Sequence, residues 1–175
     1  MNGDGIISAL DKTVVKDFNP SFFGGLSNQL NYKRWQLDFM LQFVKQENYT
    51  SAVMVGLPGA KGNQPVEVLQ HWQNAGDIAR HQIYTTGYNG DAVNAFYNYY
   101  ESDGAIADAS FVRLKNVALS YKVPEQWLFG ASCKVSLEGQ NLLIFTGYKG
   151  RDPEFSAYGY LPPLKVITAG LQFTF

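Results

Sequence analysis

Cysteine occurs once, as Cys133, so no internal disulfide can staple this chain of 175 residues. Histidine is nearly as scarce: His71 and His81 do not share the i, i+4 spacing of a zinc helix, and Glu67 with His71 reads as the solvated side of a short helix. No apolar run approaches the ~20 residues that a membrane-spanning helix needs. No block of like charge occurs, and 14 basic residues stand against 15 acidic ones, which argues against a nucleic-acid partner. Met1-Asn2-Gly3-Asp4-Gly5 lacks the basic start and apolar stretch of a signal peptide. Catalytic sets are absent from the pattern too. Ser132, Ser136 and Glu138 share a polar strand face with no histidine nearby, and Gly56 to Gly62 lacks the Lys-Ser or Lys-Thr of a phosphate loop. The reading is of a non-enzyme, with Cys133 a small packing residue.

What the chain does have is alternation. Ile167, Ala169, Leu171, Phe173 and Phe175 lie on one face of a terminal strand, opposite Thr168, Gly170, Gln172 and Thr174. Chain ends usually fray, so an apolar-faced strand at the end implies a partner that pairs with it tightly. Period two recurs in Gly24 to Tyr32 and in Trp35 to Val44, joined by the tight turn Lys33-Arg34, and again in Phe111 to Val123 and in Ala131 to Asn141. Trp35, Leu37, Phe39, Leu41 and Phe43 oppose Gln36, Asp38, Met40 and Gln42, while Cys133, Val135 and Leu137 oppose Lys134, Ser136, Glu138 and Gln140. At about 3.3 Å per residue and a tilt of about 40°, the run from Trp35 to Val44 covers roughly 25 Å, the height of the apolar band on an outer-membrane barrel.

Connection lengths favour a membrane barrel, because short and long links alternate. The predicted organisation is a loop over 1–23, a hairpin over 24–44, a long external loop over 45–110, a hairpin over 111–141, an external loop over 142–164 and a final strand over 165–175. Within the long loop a short helix is predicted over 66–75 after Pro65, and Gly56-Leu57-Pro58-Gly59 and Tyr88-Asn89-Gly90-Asp91 read as turns. Tyr84, Tyr88, Tyr97, Tyr99 and Tyr100 give this loop apolar rings with polar tips, suited to stacking on sugars or on a partner protein, or to filling the loop's own interior.

Several segments carry a family resemblance. Asp17-Phe18-Asn19-Pro20-Ser21-Phe22-Phe23-Gly24-Gly25, Ser110-Phe111-Val112-Arg113-Leu114-Lys115-Asn116-Val117, Gly139-Gln140-Asn141-Leu142, Tyr148-Lys149-Gly150-Arg151-Asp152-Pro153-Glu154 and Leu161-Pro162-Pro163-Leu164-Lys165 look, in this order, like the C-terminal region of the SusC/RagA family. The ending Thr168-x-Gly170-x-x-Phe173-x-Phe175 resembles the C-terminal signal read by the barrel-assembly machinery. The resemblance implies an all-β fold, the C-terminal part of an up-and-down barrel of about 22 strands. It further implies TonB-linked import of glycans or peptides across the outer membrane of a Gram-negative bacterium, with a SusD-like lipoprotein and TonB as partners and lipid against the apolar faces. About five strands cannot close around an aqueous lumen, so the chain reads as a fragment of a longer protein.

Two alternatives accompany this reading. Asn2, Asp4, Gly5, Ile7 and Asp11 match part of an EF-hand-like or dockerin-like calcium loop in which Ile6 would give its backbone carbonyl and whose first ligand would precede Met1, and a polar glycine-rich turn without metal is the other account of the same residues. For the whole chain, the competing function is a soluble secreted β-sandwich that binds carbohydrate through the tyrosine-rich loop and uses the same apolar faces as its core.

Overall fold

The computed structural model describes residues 3–54, 56–128, 131–154 and 161–174. Its chain divides into two compact units, one of residues 20–46, 109–147 and 161–175 and the other of residues 1–19, 47–108 and 148–160.

The first unit is a single antiparallel sheet. Strands β1 (Phe22–Tyr32), β2 (Trp35–Lys45), β5 (Phe111–Val123), β6 (Ser132–Thr146) and β7 (Val166–Thr174) pair in that order, each with its neighbour along the chain. Lys33, at φ 56°, makes the tight turn between β1 and β2, and Pro124 opens the short link from β5 to β6 with a 3-10 turn over Glu125–Trp127. The sheet registers Leu30, Leu37, Leu119, Leu137 and Ala169 in one cross-strand row, and Tyr32, Trp35, Tyr121, Val135 and Leu171 in the next.

Strand β6 runs on to Thr146, past the predicted end at Asn141, and the reason is a bulge. The β5 to β6 register shifts between Leu114 and Asn116, opposite the segment from Gln140 to Leu143. Asn141 adopts φ 53°, a left-handed conformation that asparagine tolerates better than most residues, and its side-chain amide donates to the carbonyl of Leu164 at 3.2 Å. Leu142 then folds over Gly139, where an added Cβ would collide with Leu142 Cδ1. The Gly-Gln-Asn-Leu motif is therefore a device that keeps β6 paired through a change of register. The shift also changes parity, so that Val112 and Leu114 join Val117, Leu119 and Tyr121 on the apolar face while Phe111 and Arg113 turn to the other.

The second unit holds a short ribbon of β3 (Glu47–Tyr49) and β4 (Ile106–Asp108), with helices α1 (Ser51–Met54) and α2 (Gly90–Tyr100) between them in sequence. Two local expectations are corrected here. The helix predicted over 66–75 is only a 3-10 turn, Val66–Leu69. Pro65 supplies no side-chain cap, and the chain leaves helical geometry when His71 bridges His81, with Trp72 N donating to the His81 carbonyl at 2.8 Å. The segment Tyr88-Asn89-Gly90-Asp91, predicted as a turn, starts the long helix instead. Asn89 acts as N-cap, its side-chain oxygen accepting from Ala92 N at 3.2 Å, so the Asn-Gly pair serves a helix start and not a hairpin.

Candidate functional site

The sheet presents two chemically distinct faces. On one, the rows run Gly24, Phe43, Val112, Phe145; then Leu26, Leu41, Leu114, Leu143; then Asn28, Phe39, Val117, Gly139, Ile167; then the leucine row and the Tyr32–Trp35–Tyr121 row. No second layer of described residues covers this face: Leu137 is 54% exposed, Leu171 68% and Ile167 71%. The sandwich reading required these side chains to interlock with such a layer, so their exposure disfavours it. A contiguous apolar surface of this kind marks contact with lipid or with another protein.

Aromatic rings gather at both ends of the face. Trp35 and Tyr121 approach to 4.7 Å between ring centroids at the short-turn end, and Phe22 and Phe43 to 6.3 Å at the other. Eight residues of β2 separate Trp35 from Phe43, roughly 26 Å along the strand and about 20 Å along the normal at a tilt of about 40°. Polar residues stay away from the band between, apart from Asn28 on the edge strand. Gly24 lies under the Phe43 ring, where a Cβ would stand 2.6 Å from Phe43 Cζ, an aromatic cover for a glycine next to the sheet edge.

The opposite face is polar. Its rows include Asn31, Gln36, Ser120, Ser136 and Gly170, and then Gln29, Asp38, Ala118, Glu138 and Thr168. Gln36 donates to Asp38 Oδ2 at 2.8 Å. Arg113 is buried to 3% exposure with its guanidinium 5.4 Å from the centre of the Phe111 ring. Of the predicted assembly residues, Thr168 and Gly170 fall on this face and Phe173 on the apolar one, across from Cys133, which is buried and reduced. Phe175 lies outside the described residues.

Three of the five loop tyrosines are tied into their own unit. Tyr84 donates to the Val68 carbonyl at 3.0 Å and stacks on His71 at 3.5 Å. Tyr99 donates to the Gly104 carbonyl at 2.9 Å, and Tyr100 stacks on Tyr49 at 5.2 Å. Tyr88, 97% exposed, and Tyr97 present their rings outward. Hydrogen bonds and ring contacts hold Tyr84, Tyr99 and Tyr100 in place while all three stay exposed, and Tyr88 and Tyr97 are the most open of the five. Residues that composition did not single out organise the rest. Tyr148 is buried and its hydroxyl donates to the Tyr49 carbonyl, and burial raises its pKa above the ordinary phenol value. Gly150, at φ 139°, passes so close to Ser51 that a Cβ would stand 2.9 Å from the serine Cβ. Asp152 Oδ1 accepts from Glu154 N at 3.0 Å. The Tyr-Lys-Gly-Arg-Asp-Pro-Glu motif thus anchors the loop unit and lines a cavity of about 530 Å³ with Ser51, Met54, Gln64 and Glu67.

His81 is buried, and burial pushes its imidazole below the ordinary value; Glu67 opposes this, and Arg80 and His71 add to it. Among the described residues, no three His, Cys, Asp or Glu side chains gather closely enough to hold a metal. At the chain start, Asp4 Oδ1 accepts from Ile6 N at 2.8 Å and Asp11 Oδ2 from Ser8 N at 3.0 Å, the second being half of a capping box on the turn Ala9–Asp11. In this arrangement the carboxylate expected to close the metal loop caps the turn. Asn2 lies outside the described residues.

No protein-family model matches the chain. TonB-dependent receptor P3 of Formosa agariphila is 26% identical over 196 aligned residues, which take in 100% of this chain and 18% of that protein. TonB-dependent receptor SusC of Bacteroides thetaiotaomicron is 29% identical over 157 residues, 87% of this chain and 15% of SusC. The chain thus spans less than a fifth of the length of the curated relatives it matches. Among solved structures, the RagAB peptide importer in its closed-closed state superposes with a TM-score of 0.66 at 24% identity, covering 93% of this chain and 18% of that one, and in its open-open state with 0.64 at 23%. The antiparallel sheet is therefore of the kind found in those importer barrels.

Proposed function

We propose that this chain, akin over its whole length to SusC/RagA-type TonB-dependent receptors, forms one stretch of the wall of an outer-membrane importer and is not an enzyme. The observation that carries the reading is the uncovered apolar face, bounded by aromatic rings about 20 Å apart along the normal, most of the roughly 25 Å apolar band of an outer-membrane barrel. In the longer protein this sheet would continue at both edges, β1 and β7, until about 22 strands closed the ring, since open edges in lipid leave backbone donors and acceptors unsatisfied. The polar face would then line the lumen. As an external loop of the receptor, residues 45–110 would offer the exposed rings of Tyr88 and Tyr97 to a SusD-like lipoprotein or to the cargo, a glycan or a peptide. Energy for import would come through TonB contacts made elsewhere in the receptor, and the terminal strand with Phe173 and Phe175 would be what the barrel-assembly machinery reads.

The test is insertion. The full-length receptor carrying a spin label at Leu137 or Ile167 should report collisions with a lipid-soluble relaxant, and labels at Gln140 or Thr168 with a water-soluble one. Labels that respond alike on both faces would end the proposal. A calcium ion at Asn2, Asp4, Ile6 and Asp11 belongs to the same proposal for the longer receptor and requires the Ser8–Asp11 cap to open. Calorimetric titration of calcium into the receptor without heat would remove it.

A further inference from the structure

On the long-loop side the apolar face ends in a groove. Its last full row is Gly24, Phe43, Val112 and Phe145, and beyond that row stand Phe22 and Lys45, cross-strand partners in β1 and β2, with Ser110 and Gly147 just outside the ends of β5 and β6. Small residues there succeed bulky ones. The notch they leave is a groove of about 400 Å³ whose lining includes Phe22, Phe43, Val112 and Phe145 together with Ser110, Gly147 and Lys45. A Cβ added at Gly147 would meet nothing, so the space beside it is open. Phe22 and Phe145 are both more than half exposed.

Polar groups around the groove are taken up by the chain itself. Thr146 Oγ1 donates to the Ser110 carbonyl at 2.7 Å, Gln46 N to Ser110 Oγ at 3.3 Å, and Ser21 N to the Lys45 carbonyl at 2.8 Å. Hydrocarbon requires such internal pairing of its neighbours, and water does not. Lys45 brings a charge to the rim: it is exposed and lies two residues beyond Phe43 on the same face, roughly 5 Å further along the membrane normal. No carboxylate stands among the described residues that line the groove. A lysine so placed lays its methylene stem on apolar surface and holds its ammonium at the level of the headgroups. We propose that the groove holds one acyl chain of a phosphate-bearing lipid, from the leaflet on the long-loop side, with the phosphate against Lys45. A soluble anion would not use the slot, and a neutral lipid would not use the cation. The inference rests on the reading of this face as lipid-facing, and it adds a particular lipid at a particular place.

Photolabelling of the full-length receptor decides it, in phosphatidylcholine vesicles that carry a minor fraction of phosphatidic acid with a diazirine near the head of one acyl chain. Irradiation should label Phe22, Phe43, Val112 or Phe145 more heavily than Leu137 or Leu171 towards the other end of the same face, as mapped by mass spectrometry. Unlabelled phosphatidic acid should compete this label away, and extra phosphatidylcholine should not. Lys45→Gln should lower labelling of the groove about fivefold, the worth of one cation near an anionic surface, with labelling at Leu137 unchanged. Gly147→Trp, which fills open space without backbone strain, should remove most of the label from Phe145. Even labelling along the face, no preference for phosphatidic acid, or undiminished labelling in Lys45→Gln would refute the lipid site. Label at Leu137 with none in the groove, the result if protein covers it, refutes the site as well and leaves the wall reading standing. Label at neither end of the face would sink the wall reading and the site with it.

Discussion

Arginine substitutions down the apolar face should give penalties that follow depth, and the structure says which positions are deep. Val117 sits in the row of Asn28, Phe39, Gly139 and Ile167, four residues along the strand from the Trp35–Tyr121 row. At about 3.3 Å per residue and a tilt of about 40°, that places it roughly 10 Å inside the aromatic end, close to the middle of an apolar band about 25 Å tall. Leu137 lies one row from the same end, roughly 5 Å in. Charged substitutions on the lipid face cost about 2–4 kcal/mol at mid-depth and fall towards 0–1 near the interfaces. Val117→Arg should therefore cost about 2–4 kcal/mol, a shift of roughly 30- to 700-fold in the folding constant, and Leu137→Arg less, about 1–2 kcal/mol. Gln140→Arg, on the polar face of β6, should stay within about 0.5 kcal/mol. The assay is equilibrium urea unfolding of the full-length receptor in phospholipid vesicles, with the slower gel migration of heated, unfolded barrel as the readout. Equal penalties at Leu137 and Gln140, or a larger one at Leu137 than at Val117, would refute the depth argument.

The loop unit offers further tests. Gly59→Ala forces a Cβ to 2.8 Å from both Thr85 N and Tyr84 Cβ at φ 88°, and backbone cannot move aside as a side chain could, so proteolytic protection of the loop should fall by at least about 2 kcal/mol. Tyr148→Phe leaves the Tyr49 carbonyl without this donor and should cost about 1–2 kcal/mol in amide hydrogen exchange of the β3–β4 ribbon. Because burial lowers the folded-state pKa of His81, the unfolded chain takes up the proton first. Loop stability should be full above the ordinary histidine value of about 6.5 and should decline as pH falls below it towards the lowered one, with His81→Gln flattening that acid limb in pH-dependent exchange.

Much of this was legible in the residue order because a strand side chain has only two directions to point. Alternation placed Leu37, Phe39, Leu119 and Leu137 on one face before any pairing was known, and the apolar rows follow from it. Helical segments were harder to read. Asn89-Gly90 is both a turn signal and a helix start, and only the chain beyond it, packed through Phe96 and Tyr100, decides between them. The helix expected after Pro65 failed for the converse reason, its residues being drawn into contact with His81 and Tyr84 across the loop.

Local chemistry by itself thus determined the strands, their two-faced character, the Lys33-Arg34 turn and the scarcity of catalytic groups. Tertiary pairing decided what no single strand contains. It carried the alternation through the Leu114–Asn116 shift, brought Lys122 against Lys134, and left the apolar side without a covering layer. The physical reason is that side-chain direction is a property of one residue's backbone, whereas register, charge neighbours and exposure belong to pairs of segments far apart along the chain.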